Sequence, residues 1–265
     1  VYKHILGQKN AEDELVYNEK DETFNAFVYK TKSKKYIVFG SGSTLTSEYS
    51  FLDADNPDEE LTVFQPRIRG LEYSISHYKD SFYIITNADK ATNFKLMKTS
   101  VDKTTKENWE EVIPHREDVL LEDIDIFKDY LVVSERSNGL NKIKVTRWDG
   151  TNEYYIPFDN ETYTVFPSTN LEFDTDTLRY VYNSLTTPSS TVDFDMISKT
   201  DIRNIIHQLI RVSLPNEKLN RPEELKFLSP IDNVSKGSTS LHEPAFSFII
   251  GKETPKDSKT TFSDI

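Results

Sequence analysis

The feature that most constrains the fold is a short pattern that recurs at a nearly constant interval. Each copy has a polar turn, an aromatic or aliphatic anchor, and then a run in which apolar residues alternate with others. The copies occupy residues 34–42, 80–88, 128–136 and 176–184. Their anchors lie 46, 48 and 48 residues apart and are Tyr36, Phe82, Tyr130 and Leu178. This spacing indicates a structural repeat, in which each unit packs against its neighbours.

The stretch 121–158 shows what one unit contains. Its apolar residues alternate over four short segments, each ended by polar or glycine turn chemistry, at 124–126, 130–132, 143–145 and 155–157. Four strands in a period in the high forties are typical of a β-propeller blade, whereas a helical repeat would show a 3.6-residue apolar period. We therefore predict a mainly β protein of about four blades. Since propellers have ~4–8 blades, this is either a small complete ring or part of a larger one.

The pattern changes after residue 196, and we predict two parts, blades over 1–196 and a helix with an irregular tail over 197–265. The predicted helix spans 200–212, with Thr200 or Ser198 as its cap and Pro215 beyond its end. Its apolar stripe at i, i+3, i+4, i+7 and i+8 comprises Ile202, Ile205, Ile206, Leu209 and Ile210. A further strand is predicted within 242–251, and the remaining tail is expected to be loose.

Composition limits the kind of protein and of partner. The 265 residues include no cysteine and carry a formal net charge of −12, which disfavours nucleic acid and favours basic peptides. No apolar run reaches the roughly 18 residues of a membrane helix. We predict a soluble protein without a membrane partner, in either the cytoplasm or the periplasm. Because the chain begins with Val1 and not with Met, we expect it to be an internal or trimmed piece of a longer protein.

No residue is predicted to be catalytic, to bind a cofactor or to bind a metal. The histidines are too scattered for a metal-ligand spacing; they are His4, His77, His115, His207 and His242. His77 shares a predicted strand face with Tyr73 and Ile75 and is interpreted as a structural histidine. The segment Gly40-Ser41-Gly42 lacks the G-x-S-x-G spacing of a nucleophile elbow.

Charged clusters are interpreted mainly as solvated turns. The acidic clusters lack the glycine and terminal glutamate of a calcium loop; they are Asp53-Asp55-Asp58-Glu59-Glu60 and Glu122-Asp123-Asp125. The basic run 30–35 and the pair Arg67 and Arg69 are too small for a nucleic-acid footprint.

Several phrases of the sequence resemble one family in the same order. They are VYKHILG at 1–7, LVYNEKDETF at 15–24, LEYSISHY at 71–78, NWEEVIPHRED at 108–118, LVVSERSNGL at 131–140 and RYVYNSLTTPSS at 179–190. Together they resemble the oligopeptidase B group of the prolyl oligopeptidase family of serine peptidases. Residues 197–265 do not share the resemblance.

The resemblance implies that these blades are the later part of a seven-bladed propeller that covers an α/β-hydrolase domain and admits only short peptides. It also implies cleavage after Arg or Lys by the complete enzyme. The expected partners are short basic peptides and an α/β-hydrolase catalytic domain, and the chain alone is expected to be inactive. The alternative is a standalone propeller that binds a peptide or a protein without catalysis.

Overall fold

The computed structural model of the protein describes residues 1–206 and 246–249. The chain opens with two short strands, β1 (Tyr2–Ile5) and β2 (Glu14–Leu15), which pair antiparallel. A strand at Phe246–Ile249 pairs with the other edge of β1, and we call these three strands the entry sheet. The strand predicted within 242–251 is thereby confirmed.

Four four-stranded sheets follow the entry sheet, and we number them 1 to 4. Sheet 1 consists of β3 (Asn25–Lys30), β4 (Tyr36–Gly42), β5 (Ser47–Asp53) and β6 (Thr62–Val63). Sheet 2 consists of β7 (Tyr73–Tyr78), β8 (Ser81–Thr86), β9 (Lys95–Ser100) and β10 (Glu110–Ile113). Sheet 3 consists of β11 (Leu120–Ile126), β12 (Tyr130–Ser137), β13 (Leu140–Arg147) and β14 (Tyr154–Tyr155). Sheet 4 consists of β15 (Tyr163–Pro167), β16 (Thr177–Ser184), β17 (Ser190–Asp195) and β18 (Thr200–Ile206).

Every sheet is an antiparallel meander in which strands adjacent in the chain are adjacent in space. The four segments predicted within 121–158 are β11 to β14, and each repeat anchor lies on the second strand of its sheet. The mainly β fold with about four blade-like units is therefore confirmed. Helical turns in the described residues are confined to single-turn 3₁₀ helices at Asn10–Glu12, Ala88–Lys90 and Lys106–Asn108.

The helix predicted over 200–212 is wrong for its first half. Residues Thr200–Ile206 form β18, which pairs antiparallel with β17 from Thr200 opposite Asp195 to Ile206 opposite Ser190. The isoleucine-rich segment satisfies its backbone by pairing with a sheet edge, and β-branched residues favour that conformation. The rest of the predicted helix lies outside the described residues. Sheet 4 extends to Ile206, beyond residue 196, and the division into two domains stays a prediction.

The sheets stack face to face, and alternate residues of one strand pack on opposite neighbours. On β12, Tyr130 and Val132 join the core shared with sheet 4, whereas Leu131 and Val133 join the core shared with sheet 2. This follows from the two-residue period of a strand that is buried on both faces. The anchor Phe82 of sheet 2 is fully buried in the core shared with sheet 1.

A glycine in sheet 1 makes room for an aromatic ring. Gly40 on β4 lies opposite Phe27 on β3, and a Cβ at Gly40 would stand 2.2 Å from the Phe27 ring. We expect Gly40→Ala to lower the free energy of unfolding by about 1–3 kcal/mol, because the ring must move from its packed position. Urea unfolding measures this change.

Gly42→Ala is the matched control on the same strand. A Cβ at Gly42 would stand 3.9 Å from the Phe27 ring, which is an ordinary contact. We expect this variant to stay within about 0.5 kcal/mol of wild type. Equal destabilisation by the two substitutions would show that the Phe27 ring is not the cause.

Candidate functional site

The loops of the stacked sheets lie on two opposite faces. The upper face carries the connections that lead into each first strand and those between second and third strands. Contacts between such loops define it, including Gly70 N to Thr46 Oγ1 at 3.1 Å and Thr186 Oγ1 to Asn160 Oδ1 at 3.2 Å. The lower face carries the connections after each first and third strand.

On the lower face, Lys32 reaches across sheet 2 to sheet 3. Its ammonium lies 2.6 Å from Asp125 Oδ1 on β11 and 3.4 Å from the centroid of the Phe127 ring. Both charged side chains are mostly buried, with 16% exposure for Lys32 and 20% for Asp125. Burial raises the pKa of Asp125, and Lys32 only partly offsets this effect; burial likewise lowers the pKa of Lys32.

Asp123 extends the acidic side of β11. Its side chain is solvent-exposed, yet the surrounding protein raises its pKa through lost hydration, with a smaller contribution from the Asp125 charge. A cavity of about 70 Å³ lies beside Asp125, among the first strands of sheets 1, 2 and 3.

His77 is a packed residue at the lower end of β7, as the sequence predicts. Its Nδ1 lies 2.8 Å from the Ser33 hydroxyl, and its ring lies 4.7 Å from Tyr36 and 5.2 Å from Phe82, centroid to centroid. Burial lowers the pKa of His77. The imidazole therefore stays neutral and ties the Ser33 loop of sheet 1 to sheet 2.

The buried neutral His77 makes stability depend on pH. The unfolded chain, with the ordinary histidine pKa of about 6.5, binds a proton more readily than the folded chain. The stability from neutral His77 is therefore present above pH ~6.5 and is lost as pH falls towards the lowered pKa. We expect His77→Gln to flatten the dependence of unfolding free energy on pH just below ~6.5. Urea unfolding across this pH range, with the free energy at about pH 8 as the reference, measures the dependence. Equal pH dependence of the unfolding free energy in wild type and His77→Gln would contradict the prediction.

On the upper face, Glu19 holds the segment between the entry sheet and sheet 1. Its carboxylate accepts hydrogen bonds from Arg67 at 2.7 Å, Ser41 at 2.5 Å and Tyr17 at 3.0 Å. Burial opposes the charge, but these bonds outweigh it and lower the pKa of Glu19 to about 2. The Arg67 guanidinium also stacks on the Phe24 ring at 3.7 Å.

A second upper-face network surrounds Glu135, which is only 1% exposed. The carboxylate accepts hydrogen bonds from Arg116 at 2.5 Å and from the Tyr155 hydroxyl at 2.7 Å, and the Lys144 ammonium lies 3.7 Å away. Burial acts against ionisation, yet Arg116 and Tyr155 hold the pKa of Glu135 below its ordinary value. The network fixes the connection between sheets 2 and 3 to the upper end of sheet 3.

An open groove of about 490 Å³ lies on the upper face between the 64–72 and 87–94 loops. Its charged lining residues are Arg69, Glu72, Asp89, Lys90 and Lys106. Asp89 accepts hydrogen bonds from Lys106 at 2.8 Å and Lys95 at 3.1 Å, which lower its pKa. The groove thus has one more basic than acidic side chain, in a chain whose net charge is strongly negative.

Both predicted acidic clusters contain residues that form ion pairs with the chain's own lysines. Lys35 bridges to Asp53 at 2.8 Å, and Lys3 bridges to Asp58 at 2.7 Å. Across residues 1–206 and 246–249, no group of three or more His, Cys, Asp or Glu side chains could hold a metal ion. His207 and His242 lie outside the described residues. In the part of the chain that the structure describes, no helix has the length and apolarity needed to cross a membrane.

The sequence analysis did not single out Glu19, Glu135 or the pairing of Lys32 with Asp125. A signal for Glu135 exists, because Leu131, Val133 and Glu135 fall on one face of β12 by the two-residue strand period. A carboxylate on a core-facing position needs buried partners. No comparable signal marks Lys32 and Asp125, which are 93 residues apart.

Residues 1–205 match the family profile described as "Prolyl oligopeptidase, N-terminal beta-propeller domain". The chain belongs to the prolyl oligopeptidase family. The match begins in the entry sheet and ends within β18, so sheets 1 to 4 are propeller blades. In homologous peptidases of the family, this propeller accompanies a catalytic hydrolase domain.

Two curated relatives are similar in sequence. Dipeptidyl aminopeptidase BI of Pseudoxanthomonas mexicana is 37% identical over 208 residues, which are 78% of this chain and 28% of the relative. Protease 2 of Moraxella lacunata is 34% identical over 197 residues, which are 74% of this chain and 28% of the relative. The chain therefore spans less than a third of the length of these relatives.

Two solved structures are similar in fold. Oligopeptidase B from Leishmania major superposes with a TM-score of 0.70 and 29% identity, covering 76% of this chain and 29% of that one. Oligopeptidase B from Trypanosoma brucei, in a closed form with covalently bound antipain, gives a TM-score of 0.69 and 27% identity. That comparison covers 78% of this chain and 31% of the trypanosomal one.

Proposed function

We propose that this chain is the propeller portion of an oligopeptidase B-like serine peptidase, part of a seven-bladed ring that admits and recruits short basic peptides. Hydrolysis after Arg or Lys is the work of an α/β-hydrolase domain. The observation that carries the proposal is the family match over 1–205, in a sequence without a G-x-S-x-G elbow. Similarity to two oligopeptidase B structures supports the same group within the family.

The physical basis of the proposed gating is size exclusion. Each sheet packs on its neighbour through a continuous apolar core, so the blades form a rigid wall that a folded protein cannot cross. The acidic residue Asp123 on first strand β11 adds negative potential near the ring interior, whereas Lys32 offsets the charge of Asp125. In a chain of net charge −12, this potential concentrates cationic peptides.

We propose that the hydrolase domain docks on the upper face. The last blade strand, β18, ends at Ile206 opposite Ser190, at the upper end of sheet 4. Three aliphatic side chains on upper-face loops are exposed, with Leu45 at 63%, Ile68 at 45% and Leu185 at 93%. Exposed apolar groups around a partly basic groove suit a protein partner of mixed apolar and acidic surface.

The test is hydrolysis of a short fluorogenic substrate with Arg at the cleavage position. The 265-residue chain is assayed alone and mixed with a separately produced hydrolase domain of oligopeptidase B from Leishmania major. We expect no activity from the chain alone, and activity in the mixture that exceeds that of the hydrolase domain. Activity of the chain alone would overturn the proposal, and absence of any effect in the mixture would favour a standalone binding propeller.

A pair of surface variants tests the docking face. Leu185→Glu places a charge on the most exposed upper-face leucine, and Ile197→Glu does the same on a lower-face turn, where Ile197 is 58% exposed. We expect Leu185→Glu to weaken stimulation of the hydrolase domain about tenfold or more and Ile197→Glu to leave it unchanged. Equal effects of both variants would argue against docking at the upper face.

A further inference from the structure

The lower-face ion pair joins two sheets that are separated by a third. Lys32 follows β3 of sheet 1, and Asp125 lies at the end of β11 of sheet 3, whereas sheet 2 packs between them. The ammonium therefore passes the lower end of β7 to reach its partner. The groups that receive the ammonium therefore belong to sheet 3, which is not adjacent to sheet 1.

Those groups form a cation-binding arrangement at the lower end of sheet 3. Asp125 Oδ1 lies 2.6 Å from the ammonium, and the Phe127 ring centroid lies 3.4 Å from it. A carboxylate beside an aromatic face is a combination that binds ammonium and guanidinium groups. Neither receiving residue belongs to sheet 1.

The pair is also poorly suited to a purely stabilising role. Burial raises the pKa of Asp125 and lowers that of Lys32, so lost hydration exceeds the mutual attraction for both partners. Buried pairs of this kind add little net stability. The adjoining cavity of about 70 Å³ has room for about two water molecules at their share of liquid volume. Lys32 can therefore leave Asp125 without a collapse of packed side chains.

We propose that Asp125 and Phe127 form a binding site for the side-chain cation of a lysine or arginine in a peptide, and that Lys32 occupies this site in the free protein. The proposal rests on the proposed recruitment of basic peptides and adds the residues that receive them. An arriving cation exchanges with Lys32, so the sheet 1 loop opens when a peptide is bound. Acidic or neutral peptides have no group that replaces the ammonium.

The test measures binding of n-butylammonium, which mimics a lysine side chain, to the full chain by calorimetry. Lys32→Met keeps the aliphatic stem and removes the competing charge. Because a tethered group competes at an effective concentration of about millimolar, we expect Lys32→Met to bind n-butylammonium about tenfold or more tightly than wild type. Lys34→Met, an exposed lysine of the same turn, removes one charge without vacating the site and should match wild type.

Three further measurements make the result specific. Addition of Asp125→Asn to Lys32→Met should abolish binding, and neutral 1-pentanol should not bind in place of the ammonium. A measurement on wild type needs no variant and uses lysine labelled with ¹³C at Cε. Saturation with n-butylammonium should move the Lys32 NMR signal to the chemical shift of solvated lysines. Equal affinity of Lys32→Met, Lys34→Met and wild type, or an unmoved Lys32 signal at saturation, would overturn the proposal. Because no hydrolase domain is present, failure here is distinguishable from failure of the gating role.

Discussion

Phe82→Ala is expected to lower the free energy of unfolding by about 3–5 kcal/mol relative to wild type. Phe82 is fully buried and is the anchor of the second repeat. Its ring centroid lies 5.1 Å from that of Phe51 and 5.2 Å from that of Phe64, in the core between sheets 1 and 2. Removal of the ring leaves a cavity that the two stacked sheets fill only in part. The loss of van der Waals contacts around this cavity therefore adds to the loss of buried apolar surface. Since domains are stable by ~5–15 kcal/mol, this is a large share of the total.

Phe166→Ala deletes the same side chain at an exposed position and serves as the control. Phe166 lies on β15, the first strand of sheet 4, and is 51% exposed. We expect its loss to change the free energy of unfolding by less than about 1 kcal/mol. Urea unfolding followed by tryptophan fluorescence compares the variants. A difference of under about 1 kcal/mol between them would mean that the repeat anchor does not organise the core.

The anchor spacing was enough to predict the sheets because it reports a local, repeated requirement. Each second strand must place apolar side chains on both faces, and Tyr130 to Val133 on β12 meet that need with four consecutive buried residues. Turn residues then fix where each strand ends. Because these signals lie within single repeat units, they predict the strands even when the packing between units is unknown.

The failure at 200–206 arises from a contact outside that segment. Ile202, Ile205 and Ile206 fit a helical stripe, but the free edge of β17 supplies backbone partners along β18. A short apolar run does not distinguish the two states by its spacing alone. Pairing with the edge of β17 therefore stabilises the strand conformation of residues 200–206 over the helix that their apolar spacing suggested.

The polar site was harder to predict for a related reason. Lys32 follows the first strand of sheet 1 and Asp125 lies on sheet 3, so their meeting depends on how the sheets stack. Sequence analysis placed Asp125 in an acidic cluster and Lys32 in a basic run, and it interpreted both as solvated. Neither interpretation takes account of the ion pair across the lower face, in which Lys32 and Asp125 neutralise each other.

The two faces therefore use charge differently. On the upper face, Glu19 and Glu135 each accept several strong hydrogen bonds, and these lower the pKa of both carboxyl groups. On the lower face, Asp125 has a raised pKa beside one lysine. The upper networks suit a fixed surface for a partner domain, whereas the lower pair suits exchange with a cationic ligand.

The Glu135→Ala variant is expected to lose about 3–5 kcal/mol of unfolding free energy, because a partly buried ion-pair network loses its shared carboxylate. Among the described residues, Arg116 then has no carboxylate partner, and Lys144 keeps only Glu153, 3.5 Å away. Arg116 loses its 2.5 Å carboxylate contact, Lys144 is buried with 10% side-chain exposure, and the Tyr155 hydroxyl loses its acceptor. The connection between sheets 2 and 3 is then no longer fixed to the upper end of sheet 3. Urea unfolding at neutral pH measures the loss.

Arg136→Ala is the control, because Arg136 follows Glu135 in the chain but is 53% exposed and pairs with Glu122. Exposed pairs of this kind contribute about 0–1 kcal/mol. A pH series adds a second reading: the lowered pKa of Glu135 means that its contribution is complete above the ordinary value of 4.5 and is lost as pH falls through the folded-state pKa. The gap between wild type and Glu135→Ala should therefore narrow in acid. A gap that is small at neutral pH, or that stays constant as pH falls, would mean that the ionised carboxylate does not hold this face together.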